Sequence, residues 1–153
     1  MEIERKFTVV SLPENLEQYP VLSLEQGYMN FEPVIRIRKE NDAYYLTYKG
    51  KGLLAREEYN LPLNKESYER LLPKCEGNII SKKRYLIPFG KYTIELDVFE
   101  EPFVPLVIAE VEFPNEEEAE SFSGPDWFGQ EVTYQKEYHN SNLAQKKIKK
   151  WDD

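Results

Sequence analysis

The sequence predicts a mainly β (α+β) protein: eight strands in an antiparallel barrel or a strongly curved sheet, with few helices. Three observations predict it. Most of the chain alternates apolar and polar residues in period two, the period of a strand. Short gaps rich in turn residues separate several of the alternating runs, which implies antiparallel hairpins. Only three short segments carry helix signals. A length of 153 residues suits one domain, 1–153, and suffices to bury a core.

In chain order, the predicted strands are Glu2–Val10, Val21–Met29, Val34–Lys39 and Ala43–Lys49, then Leu53–Leu61, Asn78–Ile87, Tyr92–Phe99 and Leu106–Phe113. Glu40-Asn41-Asp42 turns the third strand into the fourth. Gly50-Lys51-Gly52 leads into the fifth, and Phe89-Gly90-Lys91 joins the sixth and seventh. Asn64 is placed to cap a helix over Lys65–Leu72 that Pro73 ends. Asn115 is placed to cap Glu116–Phe122, with Glu118 at the capping-box position. A basic helix over about Ser141–Lys150 closes the chain. Trp127-Phe128-Gly129 reads as packing at a turn.

Composition excludes several classes. No apolar run approaches the roughly 18 residues of a membrane span, and Met1–Lys6 is too charged for a secretory signal. Cys75 is the only cysteine, so an intrachain disulfide and zinc-ribbon chemistry are out and a cytoplasmic location is expected. A net charge of −8 argues against nucleic acid as a partner but permits a local basic pocket for a small anion. No GxxxxGK[ST] loop occurs, which removes a P-loop ATPase.

The chemistry lies in what alternates. Glu2, Glu4 and Lys6 share one face of the first strand, with Ile3, Phe7 and Val9 on the other. Arg36 and Arg38 alternate with Ile35 and Ile37, and Lys49 ends the fourth strand. Arg56 and Glu58 share a parity, as do Lys82 and Arg84, Glu95 and Asp97, and Glu110 and Glu112. Any one such pair is ordinarily a solvated face. Taken together the strands sort by sign, and adjacent like charges on a water-facing strand have no structural use. Segregated acids and bases make sense lining one cavity, the acids around a hard cation and the bases on phosphate oxygens. The apolar parity then faces outward and needs cover, from helices and from a second subunit in a homodimer.

These residues carry a resemblance. Glu2-Ile3-Glu4-Arg5-Lys6 is an ExExK motif. With Ile35–Arg38, Lys82–Tyr85, Glu95–Phe99 and Glu110–Phe113, it resembles the CYTH superfamily of triphosphate tunnel metalloenzymes across nearly the whole chain. The likeness is to a short bacterial, tripolyphosphatase-like member. It implies an eight-stranded antiparallel barrel forming a tunnel and hydrolysis of inorganic tripolyphosphate with Mg²⁺ or Mn²⁺. It also implies Glu2, Glu4, Glu95, Asp97, Glu110 and Glu112 as metal ligands; the mechanism expected from it holds one ion mainly on Glu2 and Glu4, with a second near Glu95, Asp97 and one of Glu110 and Glu112 to activate water. Lys6, Arg36, Arg38, Lys49, Arg56, Lys82 and Arg84 would line the phosphate path, Lys136 would add a contact, and Tyr28 would orient Lys82. Glu2, Glu4, Arg56, Lys82, Glu95 and Asp97 are the implied catalytic set. The fifth strand departs from the family pattern at Asn60, where an acid often continues the parity.

Other readings stay open: hydrolysis of ATP, another nucleoside triphosphate or thiamine triphosphate, an adenylate cyclase, or a polyphosphate binder without catalysis. His139, the only histidine, lacks a nucleophile motif and is expected at the surface or in a cap. Lys146, Lys147, Lys149 and Lys150 are expected on a solvated helix face.

Overall fold

Alternation becomes one curled antiparallel sheet in the computed structural model, which describes residues 1–147. Its strands are β1 (Glu2–Val9), β2 (Val21–Phe31), β3 (Val34–Glu40), β4 (Ala43–Lys49), β5 (Ala55–Arg56), β6 (Glu58–Leu63), β7 (Glu76–Phe89), β8 (Tyr92–Phe99), β9 (Val107–Glu112) and β10 (Phe128–Glu131). The helices are α1 (Lys65–Leu71), α2 (Glu116–Ser121) and α3 (Asn140–Gln145). Strand order is β10-β1-β9-β8-β7-β2-β3-β4-β6, with every pair antiparallel.

Curling brings the ends of that order together. β6 hydrogen-bonds to β4, whereas β5, one residue earlier in the chain, pairs with the start of β1. The expected single strand Leu53–Leu61 is therefore two, broken at Glu57, because it serves two partners facing different ways. Closure is partial. Beyond β5 the same edge of β1 takes β10 instead, through Phe7 and Val9. The alternation signal missed β10, because four residues that include Gly129 carry too little pattern; the free edge of β1 decides it.

Polar caps fix the helices where the sequence places them. The Asn64 side chain accepts the Ser67 N–H at 2.7 Å, and that of Asn115 accepts the Glu118 N–H at 2.8 Å. Pro73 ends α1 by turning it into a single 3₁₀ turn, Leu72–Lys74. The last helix is shorter than expected. It stops at Gln145, and Lys149 and Lys150 lie outside the described residues. Among the described residues no helix is long and apolar enough to cross a membrane.

Polarity is inverted, as the charge sorting requires. The inward parity buries Glu2, Glu4, Lys6, Arg36, Lys49, Lys82, Arg84, Asp97 and Glu110. The outward parity of β1, β8 and β9 buries Ile3, Phe7, Ile94, Leu96, Ala109 and Val111 beneath α2 and the aromatic stretch Phe122–Phe128. Arg5 pins that cover, donating to the Ala119 and Phe122 carbonyls and forking onto Glu131 at 2.7 and 2.8 Å. Among the described residues no such layer covers the outward face near β6, and Tyr59 and Leu61 are each 58% exposed. At one end the inward parity turns apolar. Tyr28, Val34, Ile80, Phe99 and Ile108 pack with Leu143 and Ala144 of α3 and plug the curl. Gly77, at φ +73°, lets α3 sit directly on β7, since a Cβ there would strike the Ala144 carbonyl.

Candidate active site

Strand register sets the charges. β1 lays Glu4 opposite Glu112 and Lys6 opposite Glu110; β8 lays Glu95 opposite Glu110 and Asp97 opposite Arg84. Directly opposed carboxylates repel unless cations come between them. Arg84 does so for Glu95 and Glu110, at 3.1 and 3.3 Å, and Lys6 links the diagonal pair, its Nζ 2.5 Å from Glu110 and 3.4 Å from Glu4. Across the curl, Arg36 and Arg38 stand on β3, with Lys49 at the end of β4.

Between them lies a cavity of about 270 Å³. Twelve residues singled out from the sequence line it: Glu2, Glu4, Lys6, Tyr28, Arg36, Arg38, Lys49, Arg56, Arg84, Glu95, Glu110 and Glu112. Three do not. Lys82 and Asp97 sit behind the wall, 1% and 0% exposed, bridged at 2.6 Å. Lys136 is exposed on a neighbouring groove. The expected link from Tyr28 to Lys82 is replaced. Lys82 bonds to Asp97 and Asn140 and lies over the Phe99 ring, while Tyr28 stacks on Phe31.

Carboxylate oxygens of Glu4, Glu95 and Glu110 all lie within 4.8 Å of one another. Hard divalent cations take oxygen ligands at about 2.0–2.6 Å, so three oxygens this close can share one ion. The other acids go elsewhere. Glu2 turns to Lys49 at 3.0 Å and Arg56 at 3.7 Å. Asp97 is forked by Arg84 at 2.7 and 2.9 Å. Glu112 is exposed at the rim.

Burial and neighbours tune these groups. Burial, opposed by Arg84 and reinforced by Glu110, Asp97 and Glu4, lifts Glu95 to about 7. Burial and the Glu4 charge lift Glu2 to about 7 against the pull of Lys49. Glu110 is buried too, yet Lys6, Arg84 and Lys82 hold it well below the usual carboxylate range. On the opposite wall, burial and the crowding of Arg36 and Arg84 push Arg38 down to about 10. Among the described residues, the Nε atoms of Arg36 and Arg38 are buried without a hydrogen-bond partner, as is the whole amide of Gln26, which faces Arg38 across β2 and β3.

Sequence reasoning missed part of the lining. Glu58 and Asn60 contribute from β6, and the Asn60 amide ties Glu58 (3.0 Å) to Thr47 (2.6 Å), giving the departure at Asn60 a bridging role. His139 takes the N-cap position of α3 but is buried rather than at the surface; its Nε2 lies 2.8 Å from the Thr133 carbonyl, and it lines the cavity with Asn140 and Ser141. These three come from a segment outside the strands, where alternation carries no information.

Known proteins resemble this chain in sequence and fold. A family model described as the CYTH domain matches residues 1–146. The chain is 39% identical over 148 residues to an inorganic triphosphatase of Nitrosomonas europaea, covering 94% of this chain and 96% of that one. It is 40% identical over 157 residues to an inorganic triphosphatase of Acetivibrio thermocellus, covering 99% and 98%. The solved structure of the inorganic triphosphatase NE1496 superposes with a TM-score of 0.72 at 35% identity, covering 95% of each chain. A putative adenylate cyclase from Bacillus halodurans shares the fold at 18% identity, with a TM-score of 0.59 over 99% of this chain and 95% of that one.

Proposed function

We propose that this chain, which belongs to the CYTH family, hydrolyses inorganic tripolyphosphate to pyrophosphate and phosphate with a divalent cation, Mg²⁺ or Mn²⁺. One observation carries the reading: a carboxylate triad with ion-binding spacing faces two arginines, Arg36 buried and Arg38 half-buried, each with a buried Nε that has no partner among the described residues, inside one cavity. Such a cavity suits an anion that brings its own cation.

In this reading Glu4, Glu95 and Glu110 hold the ion, which when bound neutralises phosphate oxygens and lowers the pKa of a water. Arg36 and Arg38 grip the phosphate chain with planar, charge-assisted donors, and Lys49 and Arg56 continue the path. Arg84, forked onto Asp97, turns its outer nitrogens to Glu95 and Glu110 and so holds two of the triad carboxylates in place; Lys6 balances Glu110 against Glu4. Water oxygen adds to a terminal phosphorus as the bridging P–O bond breaks; pyrophosphate departs with the bonding pair and takes up the proton that the water gives up. The cations offset charge that grows on the transferred oxygens. Lys82 and Asp97 act as positioning residues for Arg84.

A single domain spanning 1–153 fits the continuous sheet. Cytoplasmic residence fits the lone, half-buried Cys75. A homodimer would cover the bare face around Tyr59 and Leu61, and sedimentation as a monomer at micromolar concentration would remove it. For the activity, phosphate release from tripolyphosphate, ATP, thiamine triphosphate and pyrophosphate is compared with Mg²⁺, Mn²⁺ or EDTA. Fast metal-dependent release from tripolyphosphate is expected; faster turnover of ATP or thiamine triphosphate would move the function to an organic substrate.

A further inference from the structure

Beside the cavity lies an open groove of about 450 Å³, formed where the β2–β3 turn, the β4–β5 loop and the stretch from Lys136 to Gln145 converge. Its charged rim is Lys51, Arg56 and Lys136 against a single acid, Glu32. Among the described residues neither Lys51 nor Lys136 has an ion-pair partner. The groove and the cavity share Val34, Arg56, His139 and Ser141, so Arg56 stands at their junction.

The loop that carries Lys51 is fixed. The Gly50 N–H donates to the Glu57 carbonyl at 3.0 Å, and Gly52 holds φ +128°, where a Cβ would collide with the Ala55 carbonyl. On a chain of net charge −8, unpaired cations held at the exit of an anion cavity extend the attraction outward. Lysine ammonium groups meet phosphate oxygens as point charges without demanding one orientation, which suits a flexible chain. Phe31, the one aromatic carbocycle in the groove, is already stacked on Tyr28 at 5.5 Å, so little is offered to a nucleobase.

We propose that this groove holds the phosphates beyond the third of a linear inorganic polyphosphate whose leading end occupies the cavity. The inference rests on the proposed function and adds chain-length selectivity to it. Tetrapolyphosphate then binds more tightly than tripolyphosphate, and Lys51 supplies part of the difference.

The test is isothermal titration of tripolyphosphate and tetrapolyphosphate in EDTA buffer, on the wild-type protein and on Lys51→Glu and Lys51→Arg. The wild type is expected to bind tetrapolyphosphate about five-fold more tightly. Lys51→Glu is expected to erase that gap with tripolyphosphate affinity held, and Lys51→Arg to keep it. Equal wild-type affinities, no measurable binding of tetrapolyphosphate, or an equal loss for both ligands in Lys51→Glu would overturn the groove assignment. Tripolyphosphate hydrolysis with Mg²⁺ is followed on the same preparations. Absent hydrolysis with the affinity gap intact would count against the enzymatic reading alone; hydrolysis without the gap would count against the groove alone.

Discussion

Two walls of the cavity carry buried charge and settle it in opposite ways. On β7, β8 and β9 every buried ion has a counter-ion: Arg84 with Asp97, Glu95 and Glu110, Lys82 with Asp97, and Lys6 with Glu110. On β3 the arginines are nearly alone. Among the described residues Arg36 reaches only Thr47, at 3.5 Å, Arg38 reaches Glu40 at 3.4 Å, and both leave a buried Nε unpaired. Buried donors without partners cost about 1–3 kcal/mol each. The first wall is finished by the protein itself; the second is finished by what binds. Stability and binding should therefore separate along this line.

Breaking the finished wall should have the largest effect. Asp97→Asn leaves Arg84 and Lys82 buried without their shared carboxylate, and about 3–5 kcal/mol of stability should go. In a chain of this size the melting temperature falls by roughly 10 °C, read by thermal melts. Adding Lys82→Met should recover part of it; an unchanged melt in the single variant would show that the network does not hold the wall. Next comes Glu4→Gln, which removes a charge from the triad. Metal-dependent kcat/KM should fall at least about 100-fold while the melting temperature holds. Retained turnover would take Glu4 out of the ion site.

Arg36→Ala should raise KM for tripolyphosphate by about 10- to 100-fold, the worth of a charge-assisted hydrogen bond. Its melting temperature should stay level or rise, since an incompletely paired buried cation is gone. A fall as deep as that of Asp97→Asn would mean that the two walls do not differ.

The smallest effect is titration. With a folded pKa of about 7 against about 4.5 unfolded, Glu95 binds more protons in the folded protein between those limits. Metal-free stability therefore falls as pH rises through that window, by at most about 1.4 kcal/mol per unit from this group. Ion affinity moves the other way, tightening as Glu95 loses its proton. Glu95→Gln should remove its share of the slope in EDTA melts between pH 5 and 8; an identical slope would assign the dependence to other groups.

Alternation was readable because strands impose it. Parity alone sends Glu4, Lys6, Arg36, Arg38, Arg84, Glu95 and Glu110 to one side, and twelve of the fifteen selected residues meet at one cavity. What it could not grade is depth along a strand. Lys82 and Asp97 have the same parity as Arg84 and Glu95, yet they lie nearer the apolar plug and are consumed by each other. Local pattern was also silent for β10 and for His139, whose positions depend on a free strand edge and on chain packed against it.

The residue order by itself determined the alternating strands other than β10 and the break between β5 and β6, the caps at Asn64 and Asn115, and the inversion that puts charge inside, because each follows from spacing along one strand or one helical turn. Only the tertiary structure decided which carboxylates form the triad, which arginines remain unpaired, and that the curl is plugged at one end and bordered by a cationic groove. Those outcomes depend on register between strands distant in sequence, where a shift of two residues keeps every parity and changes every partner.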